Sequence, residues 1–161
     1  MQPSIWQAHI NDKQPVQLQL FENDDDARIT LYRFARILYA ESGASSLAAV
    51  EALASMANNL RKKRRLSGEA THSLGEGWSD IVNDDKIFES LVRDSTRQQD
   101  LFVDSGRLDF QMCLRTARRA ISGILPDTVM GATRFHHSTE LPEWATGEGY
   151  ISEIDELFFY K

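Results

Sequence analysis

Cysteine is all but missing from this chain. The single residue, Cys113, excludes an intrachain disulfide, and its place in a helical pattern marks it as packing, since a lone buried thiol behaves as a small hydrophobe. Long apolar runs are missing too. None approaches the roughly 20 residues that a membrane-spanning helix needs, so membrane insertion is not expected. Positive charge is in deficit: the net charge of −6 argues against nucleic acid as a partner. Metal-binding spacing is lacking among the histidines. His72, His136 and His137 form no HxxxH or Cys/His pattern, so neither zinc nor any other cofactor is expected. The opening MQPSIWQAHINDKQP has neither the basic start nor the apolar stretch of a secretory signal, and export by the ordinary route is not expected.

What remains is ordinary soluble material. A length of 161 residues, 42% apolar and 26% charged, fits one domain with a real core. Residues 1–22 read as an arm: Pro3 and Pro15 break it, Trp6 pins it to the body, and Val16, Leu18 and Leu20 alternate as in an extended segment. Residues 23–161 read as the single domain. Asn23 and the run Asp24, Asp25, Asp26 supply a cap and first turn, where negative charge is favourable.

A helix is expected from about Asp25, with Ile29, Tyr32, Phe34, Ala35, Leu38 and Tyr39 recurring at three- and four-residue steps. Ser42 competes for backbone hydrogen bonds, and Gly43 takes the left-handed conformation that ends helices. A second helix is expected from about Ser46 to Arg64, capped by Ser45 or Ser46. Its stripe of Leu47, Val50, Leu53, Ala54, Ala57 and Leu60 is alanine-rich, which lets another helix approach closely. The basic run Arg61 to Arg65 suits a helix C-terminus, with attraction to an anionic polymer as the alternative. Residues 66–80, with Gly68, Gly75 and Gly77, read as a loop, and Trp78 as a core anchor or a sugar-stacking platform. Residues 79–99 carry a helical pattern through Ile81, Val82, Ile87, Phe88, Leu91 and Val92. Leu108 to Ile121 is a further helix, ended by Gly123 and Pro126. Ala132 to His136 alternates like a strand, Leu141 to Trp144 bends, and Leu157 to Tyr160 is aromatic and strand-like. The expected fold is α+β, mainly helical, with a small antiparallel sheet built mostly from the C-terminal segment.

One carboxylate stands out. Glu41 falls in the last turn of the first helix, where the macrodipole disfavours negative charge and Lys or Arg is the usual residue. An uncharged carboxylic acid is what a general acid near neutral pH requires. A solvated glutamate at a frayed helix end is the competing reading.

Two blocks carry a family resemblance. ARILYAESGASSLAAVEALASMANN resembles the first block of the SleB-like cell wall hydrolases, in which one helix ends at a glutamate and the next in an Asn-containing motif. ISGILPDTVMGATRFHHSTELPEWA, with the closing LFFYK, resembles their second block: Gly131, Ala132, Thr133, Phe135, His136, Pro142, Trp144 and Ala145 fall in one register. The sequence departs at Asn59, where the family commonly has Arg, and at Ser42–Gly43, where it has Ala-Arg-Gly. The resemblance implies a lysozyme-like fold and lytic transglycosylase action on the glycan strands of peptidoglycan. It implies Glu41 as the catalytic acid, with Asn58, Thr133 and His136 beside it. Glu51, Asp127, Glu140 and Glu143 are the carboxylates available for a two-carboxylate hydrolase instead. Thr133 reads equally as a strand-face residue or a hydrogen-bond donor to sugar. Tyr39 and Trp144 read first as core and second as lining of a saccharide groove. His136 and His137 alternate across a strand, so only one can face a site. A cell wall substrate without a leader points to holin-type release or a trimmed leader; a catalytically idle wall-binding or assembly protein is the other functional reading.

Overall fold

The computed structural model describes residues 24–67 and 77–161. The expected arm, the extended segment at Val16–Leu20, Asn23, His72 and most of the 66–80 loop lie outside the described residues. Four α-helices, two 3-10 turns and three strands follow in order: α1 (Asp24–Ser42), α2 (Leu47–Leu66), α3 (Trp78–Ile81), the 3-10 turns Glu89–Leu91 and Gln98–Phe102, α4 (Leu108–Ile121), β1 (Arg134–His137), β2 (Tyr150–Ile154) and β3 (Leu157–Tyr160). The fold is α+β and mainly helical, with its sheet near the C-terminus.

Helix α1 ends as its residues require. The Ser42 hydroxyl donates to the Leu38 carbonyl at 2.6 Å, the Gly43 N–H reaches Tyr39 O at 2.8 Å, and Gly43 sits at φ +65°, where a side chain is disfavoured. Ser46 then caps α2 by accepting from the Ala49 N–H at 3.1 Å. Helix α2 runs through the middle of the molecule. Every residue from Ala49 to Asn58 except Glu51 is buried, as expected of a helix covered on most sides, and its alanines let α1 and α4 pack closely. Phe34 of α1 meets Trp78 with ring centroids 4.8 Å apart, and the Arg61 guanidinium lies 5.3 Å over the same indole. Trp78 is 1% exposed: it is a core anchor, not a sugar platform.

Three stripe positions are corrected by the structure. Ile29, Leu47 and Leu108 are exposed. Leu47 and Leu108 are the first residues of their helices, where the chain has not yet entered the interhelical space. Ile29 lies on the outer face of α1, opposite the line of Leu31, Phe34, Ala35 and Leu38. The continuous helix expected over 79–99 is also overturned: only Trp78–Ile81 is α-helical. Asn83 donates through its side chain to Ser79 O, and the Asp84 carboxylate accepts from the Lys86 N–H. Such local side-chain bonds offer the backbone an alternative to the helix ladder.

The sheet has the order β1-β3-β2, antiparallel throughout. Strands β2 and β3 are joined by Asp155 and Glu156, both at positive φ, a two-residue turn of the twist that hairpins favour. The Asp155 carboxylate accepts from the hydroxyls of Ser45 and Ser46. This ties the hairpin to the turn just after Glu41 and fixes the sheet against the end of α1.

Candidate functional site

Glu41 is 1% exposed, so it is not a frayed solvated residue. Both carboxylate oxygens are engaged. Oε2 accepts from the backbone N–H of Ser90 at 2.6 Å, and Oε1 lies 2.8 Å from Nε2 of His137. Three elements build this contact. The end of α1 places the acid, the 3-10 turn Glu89–Leu91 aims an N–H at it, and the last residue of β1 brings the imidazole. Phe88 and Phe135 anchor the latter two, their rings 6.2 Å apart, and the edge of Phe135 meets His137 at 5.5 Å.

The pair sits at a cleft of about 270 Å³ whose lining includes Glu41, Glu89, His137, Glu140 and Trp144. A second cleft of about 280 Å³ holds Thr133 and Met56. The two share Lys86, Ile87, Phe135 and Trp144, so they adjoin as a two-lobed groove with Trp144 common to both. Each lobe is near the lower end of small-ligand pockets, about 300–1,000 Å³.

The sequence-derived candidates divide. Glu41, Thr133, His136 and Trp144 line the groove. Thr133 is held by its N–H donating to Tyr160 O at 2.8 Å, and the Arg134 guanidinium lies 4.7 Å over the Trp144 ring. Asn58 lines neither lobe. Its Oδ1 accepts from Nε and Nη2 of Arg61 at 3.2 and 3.0 Å, and burial pulls that guanidinium below its ordinary pKa, with Arg65 adding to the effect. Tyr39 lines neither lobe and packs against the core. His136 lines the first lobe together with His137, so both histidines reach the cleft, not the single one that alternation predicts; its ring nitrogens are satisfied internally, Nδ1 against His137 O at 2.8 Å and Nε2 against the Tyr160 hydroxyl at 3.1 Å. Its ring stacks on Phe158 with 5.2 Å between centroids.

The histidine that meets the acid is therefore His137 and not His136. Thr133, Phe135 and His137 share one face of the strand, so choosing Thr133 with His136 mixed two faces. Ser90 and Glu89 carried no such signal, because they lie in the segment read as one helix. Among the other carboxylates, Glu51 pairs with Arg119 at 2.6 Å, Asp127 accepts the N–H groups of Val129 and Gly131, and Glu143 is exposed. Glu140 alone of the four reaches the cleft with Glu41.

The end of α2 is a salt-bridged cap: Arg64 pairs with Asp84 at 2.8 Å. Among the described residues no helix is long and apolar enough to cross a membrane. Compared with known proteins, the chain matches no family model, no curated protein and no solved structure.

Proposed function

We propose that this chain cleaves the glycan strands of peptidoglycan as a lytic transglycosylase of the SleB-like type, on a lysozyme-like helical domain, with Glu41 as its acid and base. The observation that carries the reading is the burial of the Glu41 carboxyl at the floor of a groove, hydrogen-bonded to His137 and to the Ser90 N–H. Glu41 protonates the oxygen between N-acetylmuramic acid and N-acetylglucosamine, and the bond from that oxygen to the muramic C1 breaks. The resulting carboxylate takes the proton of the muramic C6 hydroxyl as its oxygen bonds to C1. This closes a 1,6-anhydro ring and restores the acid. One carboxyl group serves both steps, where hydrolysis needs two. No cofactor takes part. Trp144, shared by both lobes, offers a sugar a stacking face, and Thr133 offers a hydrogen bond in the second lobe. The site of action is the cell wall or periplasm.

One feature supports a second reading, an idle wall-binding or assembly protein that keeps the fold. Both oxygens of Glu41 are already satisfied and its side chain is 0% exposed, so an attacking geometry needs His137 or the Ser90 turn to yield.

Muropeptide analysis by mass spectrometry separates the two. Wild-type protein acting on purified sacculi is expected to release anhydro-muropeptides, and Glu41→Gln to reduce them by at least about 100-fold, the scale of lost general acid catalysis. Equal release by the variant rejects Glu41 as the acid. Binding to sacculi without any release establishes the idle reading.

A further inference from the structure

The first lobe of the groove is acidic. Glu41, Asp85, Glu89 and Glu140 line it against one lysine, Lys86. Within it, one ring nitrogen of His137 and one carboxylate oxygen each of Glu89 and Glu140 lie within 4.8 Å of one another. The three side chains come from a 3-10 turn, a strand end and the turn that follows it, where the Glu140 N–H donates to His137 O at 2.9 Å.

His137 makes this more than a group of like charges. It is more than nine-tenths buried and lines the cleft. Its Nε2 is taken by Glu41, while its Nδ1 makes no hydrogen bond among the described residues. In the tautomer that donates Nε2–H to Glu41, the lone pair is on Nδ1, the form in which an imidazole binds a metal. A carboxylate behind the ring is the usual companion of a metal-ligating histidine, because it fixes the tautomer and raises ligand basicity. Glu89 is held in place by Arg97, whose Nε donates to Oε2 at 2.8 Å, which leaves Oε1 for another partner.

We propose that Glu89, His137 and Glu140 bind a divalent transition cation of the zinc or manganese class, with Glu41 supporting His137 from behind. One imidazole and two carboxylates suit these ions better than soft, thiolate-seeking metals. Zinc-type bonds of about 2.0–2.2 Å bring ligand atoms to roughly 3–3.5 Å apart. The exposed Glu140 closes that gap by side-chain rotation toward Glu89, which Arg97 holds. The remaining positions face the cleft, where a water or a substrate oxygen completes the shell. The cation site takes Glu41 as the carboxylate that accepts Nε2–H from His137, whereas the glycan reading takes the proton on Glu41, so the two assignments place the proton of one contact differently and each has its own test.

The test is calorimetric titration of the 161-residue chain, stripped with a chelator, with zinc chloride and separately with manganese chloride. One equivalent of at least one ion is expected to bind. Glu140→Gln is expected to weaken it by at least about tenfold, and Glu41→Gln by about 10–100-fold through the lost support of His137. Glu143→Gln, also on the surface but outside the cluster, is expected to leave affinity unchanged; circular dichroism checks that each variant is folded. Failure of both ions to bind one-to-one, or equal affinity in wild type and Glu140→Gln, overturns the proposal. Neither result alters the muropeptide experiment, so failure of one assignment is distinguishable from failure of the other.

Discussion

Nε2 of His137 lies 2.8 Å from Oε1 of Glu41 across 96 residues of chain. The contact is buried, with side-chain exposures of 7% and 0%, and it joins the end of a helix to the end of a strand. Side chains in direct buried contact report on each other when either is changed.

A double-mutant cycle built on Glu41→Gln and His137→Gln measures that coupling. Urea unfolding is expected to give an interaction energy of about 0.5–3 kcal/mol. Each single variant also leaves a buried group imperfectly paired, at about 1–3 kcal/mol. Additivity to within about 0.3–0.5 kcal/mol would show that the contact contributes nothing to stability.

Ser46 has two duties. Its hydroxyl oxygen accepts from the Ala49 N–H and caps α2, and its proton goes to the Asp155 carboxylate in the β2–β3 turn. Loss of the cap alone in Ser46→Ala is expected to cost about 0.5–2 kcal/mol. Because the second bond docks the hairpin, Ser46→Ala and Asp155→Ala are expected to be non-additive. Simple addition in thermal or urea unfolding argues that the hairpin is held by its aromatic face instead.

Alkaline stability is set in part by two buried groups. Burial pushes the Cys113 thiol from its ordinary 9.0 up to about 12, with Asp109 adding to the rise. Burial also pushes the Tyr32 phenol from 10.0 to about 12, against the pull of Arg118 and Arg36. Both pKa values are raised in the folded state, so the unfolded chain loses these protons first. Their contribution is fully present below pH 9 for Cys113 and below pH 10 for Tyr32, and is lost as pH climbs to about 12. Each group adds a slope of up to about 1.4 kcal/mol per pH unit. Cys113→Ala is expected to flatten unfolding free energy against pH above pH 9 relative to wild type; parallel curves would refute the assignment. The same burial predicts slow alkylation of Cys113 in the folded protein, measurable with iodoacetamide at neutral pH.

Most of the helical frame was legible from residue spacing. The span Leu108–Ile121, the stop at Ser42–Gly43 and the cap at Ser46 match the structure, because each rests on forces acting within a few residues. Strand β2 went unread. It is an edge strand with a register shift between Tyr150 and Ser152, its side chains only partly buried, so alternation is weak. The 79–99 segment misled in the other direction. Its apolar residues recur at helical intervals but pack as separate turns around Phe88, whose burial is decided by Phe135 on a distant strand.

Sequence alone determined the α+β, mainly helical character, the position of Glu41 in a last helical turn and the strand identity of the C-terminal tail, since hydrophobic period, capping and turn chemistry are local. Only the tertiary structure decided that His137 and not His136 faces that carboxyl, that Asn58 and Tyr39 stay clear of the groove, and that Glu89 and Glu140 converge on one imidazole. Those outcomes depend on the angles at which the helices and the sheet pack against one another, and no short-range pattern along the chain encodes such angles.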